Sequence, residues 1–250
     1  MTAGAAAASE SERARSKAQQ YRERAERLER RAEVFDRGQA GELRVAQTLD
    51  LLLPAGYARL DDVRWPGTTK ANIDHVVFGP GGMFVVDAKN WTGDVVVRAG
   101  VLRQNGYRRT RETDKVLRMT ADLQAHLGAS VGQCQPVLCL VGQPTTRPTL
   151  AEGVTVVGVG ELGRWLFTRP EIWPTSHVDA LAAWLPNVVT SASDGQPARV
   201  LGPMNTGAPA ARQSTAASSV APTTGGAAEV LPAGRHRART GEGLYGWLRR

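Results

Sequence analysis

An α/β domain with a mixed central sheet flanked by helices is predicted over residues 38 to 186 of this 250-residue chain. Three observations predict it. Residues 73 to 78 and 83 to 88 are strand-length runs rich in β-branched and aromatic residues, and Gly79-Pro80-Gly81-Gly82 between them is a turn, so the two runs form an antiparallel hairpin. Residues 136 to 141 are apolar without alternation, as in a strand buried on both faces. That run follows an amphipathic helix over 112 to 127, with Val116, Leu117, Thr120, Leu123 and Leu127 at helical spacing and Gly128 as its cap. A helical crossover of this kind joins parallel strands.

The remaining elements follow in chain order. Residues 1 to 37 are an arm dense in Arg and Glu, helical from about 10 to 36, in which Ala14, Ala18, Tyr21, Ala25, Leu28, Ala32 and Phe35 recur at alternating steps of four and three. That is a heptad seam, and its alanines bury little area, so the expectation is a lone helix or a weak coiled coil giving weak self-association. Gly38 is expected to end the arm. Residues 39 to 53 then form a helix with Leu43, Ala46, Leu49 and Leu53 on one stripe, closed by Pro54 and Gly56. A first strand spans 57 to 65, and Pro66-Gly67-Thr68-Thr69 turns it into the hairpin. A smaller hairpin is expected at 94 to 97 and 101 to 104, a late strand at 154 to 159, and helices at 161 to 167 and 176 to 185. From residue 187 to 250 the composition shifts to Ala, Gly, Pro, Ser and Thr, which predicts a disordered tail with a basic end around Arg235 to Arg239 and an aromatic tip at Tyr245 and Trp247.

The hairpin carries the chemistry. Pairing Phe78 with Met83 sets Asp74 opposite Asp87, and directly opposed like charges, with Cβ atoms roughly 5 Å apart, are destabilising. Such a pair calls for a cation or a shared proton. Lys89 lies two residues beyond Asp87, on the same face. The two carboxylates and the Ala88 carbonyl are hard oxygen donors, which favour Mg²⁺ or Mn²⁺, with Lys89 placed to steady a phosphate. His75 is expected on the opposite face, as a packing or hydrogen-bonding residue.

Gly41-Glu42-Leu43, then Ile73-Asp74-His75-Val76-Val77, then residues 81 to 93 (GGMFVVDAKNWTG) resemble the nuclease-related domain family, NERD, of the PD-(D/E)XK nuclease superfamily. Asp74 matches the first acid of that motif and Asp87-Ala88-Lys89 the (D/E)-x-K; Ile73 stands where the superfamily has proline. The likeness covers residues 38 to 128. It implies a restriction-endonuclease-like core and metal-dependent hydrolysis of phosphodiester bonds in nucleic acid, DNA in processing or repair, with catalytic residues Glu42, Asp74, Asp87 and Lys89. It also gives Glu42 the role of a helix-borne acid that joins the metal site or orients its water, and Gln124 an accessory role.

The formal net charge of +7 sits mostly outside the domain, since residues 38 to 186 hold 15 Lys and Arg against 14 Asp and Glu. Within the domain, Arg98, Arg103, Arg108, Arg109, Arg111, Lys115 and Arg118 cluster, which reads either as a contact for a nucleic-acid backbone beside the carboxylate site or as a solvated helix and loop face. Trp91 and Tyr107 are placed to stack on bases or to cover the core. Cys134 and Cys139 form neither a disulfide framework nor a zinc site. No apolar run approaches the length that spans a bilayer and the N-terminus lacks signal-peptide features, so the expected location is the cytoplasm. The function expected from these residues is a nuclease; the alternative is a non-catalytic nucleic-acid-binding or scaffold protein that keeps the nuclease fold.

Overall fold

The computed structural model describes residues 3 to 202. The chain runs as α1 (Ala3–Asp50), β1 (Ala58–Arg64), β2 (Asn72–Gly79), β3 (Gly82–Lys89), β4 (Val95–Arg98), β5 (Val101–Gln104), β6 (Tyr107–Arg108), α2 (Thr110–Leu127), β7 (Cys134–Leu140), β8 (Thr149–Ala151), β9 (Val154–Gly158), α3 (Val159–Phe167), α4 (Thr175–Trp184) and β10 (Val200–Leu201). Seven strands make one sheet in the order β10-β1-β2-β3-β7-β9-β8, and β4-β5-β6 make a second, smaller sheet. β1, β2 and β3 are antiparallel to their neighbours in the meander, while β3, β7 and β9 run parallel. The sheet is therefore mixed, as expected, with α2 in the crossover from β3 to β7.

Helices cover both faces. On one side Val76, Phe78, Met83 and Val85 pack with Val116, Met119 and Leu123 of α2 and with Val178 and Leu181 of α4. On the other, Val77, Phe84 and Val86 pack with Val45 and Leu49 of α1, with Leu52 just after it, and with Leu162, Trp165 and Leu166 of α3. The alternation along β3 follows from the strand period of two, which sends Met83 and Val85 to one layer and Phe84 and Val86 to the other. Phe78 pairs with Met83, as the turn residues predict.

Four expectations need correction. Gly38 does not end the arm: α1 is one helix of 48 residues that passes from the exposed arm into the domain, because a single glycine costs only about 1 kcal/mol within a helix. Its buried stripe is Gly41, Val45 and Leu49, continued by Leu52 in the turn after it, whereas Leu43 is exposed. The smaller hairpin gains a third strand, β6. Residues 188 to 202 are not tail: the chain returns along the free edge of β1, where Val63 bridges Ser191 and Arg59 and Leu60 pair with Leu201 and Val200.

Val189 and Ala198 are buried in that return, and Asp62 fixes it by accepting the Ser193 N–H at 2.9 Å and the Asn72 Nδ2–H at 2.9 Å. Small and polar residues carry no strand signal there; the edge of β1 supplies the partner. The rest of the expected tail, residues 203 to 250, lies outside the described residues. A chain ending at Asn187 is expected to be about 2 to 4 kcal/mol less stable than one ending at Gly202, through lost burial of Val189 and exposure of the β1 edge, and paired urea melts of the two chains measure the difference.

Candidate active site

At the end of the β2–β3 hairpin the ladder stops at His75–Val86. Beyond it the Asp74 side chain takes over the backbone's role, as Oδ2 accepts the Ala88 N–H at 2.8 Å. Asp87, one residue earlier on β3, is fully buried between β2 and β7, where it pairs with Leu138. A buried carboxylate needs partners, and Asp87 has two ammonium groups: Lys89 Nζ at Oδ2, and Lys115 Nζ 3.0 Å from Oδ1. Lys89 Nζ also lies 3.3 Å from the Ala88 carbonyl.

The two acids feel each other. Burial, and then the charge of Asp87, push the Asp74 carboxyl above the ordinary carboxylate range, against the opposing pull of Lys89 and the Ala88 N–H. Glu42 comes from α1, in the other layer. Burial and then the charge of Asp74 raise its carboxyl as well, and Lys89 partly offsets this. Gly41 lets α1 approach here: a Cβ at that position would sit 3.1 Å from the Asn90 Cβ, and Asn90 Nδ2 donates to the Arg37 carbonyl at 3.1 Å. Lys115 is pulled two ways. Burial disfavours its charge, but Asp87 outweighs burial and holds the ammonium above the ordinary lysine range.

Lys115 is the residue whose placement the sequence does not predict. Its neighbours in sequence group it with surface cations, yet it is one helical turn before Met119 and beside Val116 on the buried stripe of α2, and a lysine on the rim of an apolar stripe reaches inward with its stem. Gln124 lies elsewhere. Its Oε1 accepts the Cys134 N–H at 2.6 Å and its Nε2 donates to the Gly128 carbonyl at 3.0 Å. Cys134 pairs with Met83, four residues along β3 from Asp87, or about 13 Å at the strand rise. Gln124 thus ties the end of α2 to the start of β7.

The other arginines divide. Arg98, Arg108, Arg111 and Arg118 are exposed. Arg103 faces Arg108 across the small sheet and donates to the Gly106 carbonyl at 3.1 Å. Arg109 is engaged internally, with its guanidinium 5.4 Å from the Trp91 ring centre and a 2.7 Å bond to Gln104 Oε1. Tyr107 is 76% exposed, so of the two aromatics it is the one open to a ligand.

Behind the site lies a second polar set on β1 and β2. His75 is buried and its Nδ1 lies 2.7 Å from Asp61 Oδ1; Asp61 also accepts Arg59 Nε at 3.0 Å, and Arg59 reaches Asp50 of α1. Burial alone would raise the Asp61 carboxyl, but the His75 bond and charge, with Arg59, outweigh it and hold it below the usual range.

Among the described residues no three His, Cys, Asp or Glu side chains gather as a metal-holding group. The donors at hand are two carboxylates and the Ala88 carbonyl, all hard oxygens, and two carboxylates brought together in burial fit a small divalent cation. This is an α/β domain with a buried carboxylate and lysine centre at the end of a strand pair. Residues 37–141 match the model of the family described as Nuclease-related domain, NERD. The match contains Glu42, Asp74, Asp87, Lys89 and Lys115. Searches of curated proteins and of solved structures gave no match.

Two outcomes follow from these contacts. Lys115→Met and Asp87→Asn are each expected to lower stability, while the double variant loses less than their sum, with a coupling of about 1 to 3 kcal/mol in a double-mutant cycle by urea unfolding. Asp61→Asn is expected to cost about 1 to 2 kcal/mol at neutral pH. Because the folded-state carboxyl of Asp61 sits below its ordinary 3.8, its contribution is complete above that pH and is lost as pH falls through the lower folded value. Melts of variant and wild type should therefore converge in acid.

Proposed function

We propose that the domain is a metal-dependent phosphodiesterase with a restriction-endonuclease-like core, hydrolysing nucleic acid, DNA in processing or repair, in the cytoplasm. The observation that carries this reading is the fully buried Asp87 carboxylate, shared by two ammonium groups beside the raised Asp74 carboxyl. The match of residues 37–141 to a nuclease-related family model supports nucleic acid as the partner. Asp74, Asp87 and the Ala88 carbonyl would hold Mg²⁺ or Mn²⁺, which when bound supplies Lewis-acid polarisation of a phosphate oxygen and acidifies a water.

The chain's own residues do the rest. Lys89, its ammonium at Asp87 Oδ2 and the Ala88 carbonyl, would steady charge on the attacked phosphate. Lys115, its ammonium 3.0 Å from Asp87 Oδ1, holds that carboxylate in place from α2. Glu42, with a carboxyl raised by burial, is suited to orient water and to take its proton. Exposed Arg98, Arg108, Arg111 and Arg118, together with Arg103, give a phosphate backbone cationic contacts. No described helix is long and apolar enough to cross a membrane.

Cleavage of labelled DNA and RNA, single-stranded and duplex, with Mg²⁺ or Mn²⁺ is the test. Asp87→Asn is expected to weaken metal binding by calorimetry and abolish cleavage. Lys89→Ala should spare metal binding and slow single-turnover cleavage by about 10². If wild type binds neither ion at millimolar concentration with nucleic acid present, the enzyme reading fails and the non-catalytic nucleic-acid-binding scaffold stands.

A further inference from the structure

The arm of α1 presents an apolar seam with no partner among the described residues. Tyr21, Leu28 and Phe35 are 60%, 57% and 64% exposed, and every residue from 10 to 40 is exposed. At 100° per residue the seam near Phe35 lies roughly 110° around the helix from the stripe that packs on the sheet, so the domain cannot cover it. In proteins most helical stability comes from packing of an amphipathic face.

With the seam written as a heptad, Ala18, Ala25 and Ala32 occupy a, and Tyr21, Leu28 and Phe35 occupy d. A parallel second copy would stack alanine on alanine and Tyr, Leu or Phe on its own kind, so thin and crowded layers would alternate. An antiparallel copy instead sets Ala18 against Phe35, Tyr21 against Ala32 and Ala25 against Leu28. Every layer then combines one small and one large side chain, the arrangement that fills a core evenly. The flanking e positions read Arg15, Arg22, Glu29, Asp36. In the same antiparallel register Arg15 meets Asp36 and Arg22 meets Glu29, each twice. On the g side Arg24 meets Arg31, a like-charge cost moderated because Arg31 lies over its own Phe35 ring at 5.6 Å.

We propose that residues 14 to 36 of α1 form an antiparallel two-stranded coiled coil with a second copy of this chain, the e-position charges being complementary only to a chain of the same sequence pattern. α1 continues unbroken to Glu42, and the d position after Phe35 is Glu42 itself. The seam thus stops where the candidate site begins, and the antiparallel coil places two NERD domains at opposite ends of one rod. The proposal does not depend on catalysis.

Sedimentation of the full chain from about 1 to 100 µM should show a reversible dimer. Leu28→Asp is expected to raise its dissociation constant at least about tenfold. Glu29→Arg should weaken the dimer by setting a second guanidinium against Arg22 of the other copy, and adding Arg22→Glu should restore it. The melting of the α/β domain should not change in any of these, since the altered residues are exposed. Chains carrying Ala18→Cys mixed with chains carrying Phe35→Cys should give the 18–35 cross-link on mild oxidation. A monomer at about 100 µM, or a 35–35 link without the 18–35 link, overturns the proposal.

Discussion

A carboxylate with no exposed surface is the constraint on which this domain is built. Removing one partner from a buried ion pair costs about 3 to 5 kcal/mol because an uncompensated charge remains. Asp87 is therefore tolerable only where cations reach it from two directions. One comes from its own strand, Lys89, and one from α2, Lys115. This ties the crossover helix to the strand it follows by charge as well as by the packing of Val116 and Met119. It also sets how β2 must end, because Asp74 replaces a ladder bond with its own carboxylate at the Ala88 N–H.

Such an arrangement has little value to stability alone, since a well-packed apolar set of similar volume often does as well or better. Two raised carboxyls, Asp74 and Glu42, stand beside one that is ionically held. Acids whose environments differ in this way are the usual mark of a site where charge is used. The structural set behind it differs in kind. Arg59 joins Asp50 and Asp61, Asp61 also takes His75 Nδ1, and Asp61 is lowered, as expected of a group whose charge is matched. The two sets share β2, with Asp74 and His75 adjacent, so the strand carries the site and its brace side by side.

The hairpin is legible in the sequence because turn chemistry and strand parity are local: Gly79 to Gly82 set the Phe78–Met83 pairing, and parity then puts Val85 and Asp87 on the α2 side. Buried parallel β7 is legible from its unbroken apolar run. What escapes a sequence reading is set by distant neighbours. β10 and the return at 188 to 202 exist because β1 offers an open edge, while their Ser, Pro and Gly content argues for a tail. Lys115 looks like one more surface cation, because its inward direction depends on where α2 meets β3. Family likeness draws Gln124 toward the site, while its own bonds, to Gly128 and Cys134, place it at the other end of the strands.

The continuity of α1 joins these observations. A helix that ended at Gly38 would leave Glu42 at a frayed first turn, where unsatisfied N–H groups and solvent set its properties. In the unbroken helix Glu42 is instead an interior residue whose backbone is fully engaged, four residues before the rim residue Ala46 and next to Gly41, which contacts Asn90 at the end of β3. Its carboxyl is then held by the same rigid element that packs Val45 and Leu49 on the sheet. Glu42 feels the charge of Asp74 from the opposite layer, and a tilt of α1 would change that separation. The close approach at Gly41 and the Asn90 bond to Arg37 fix the tilt at the point where it matters.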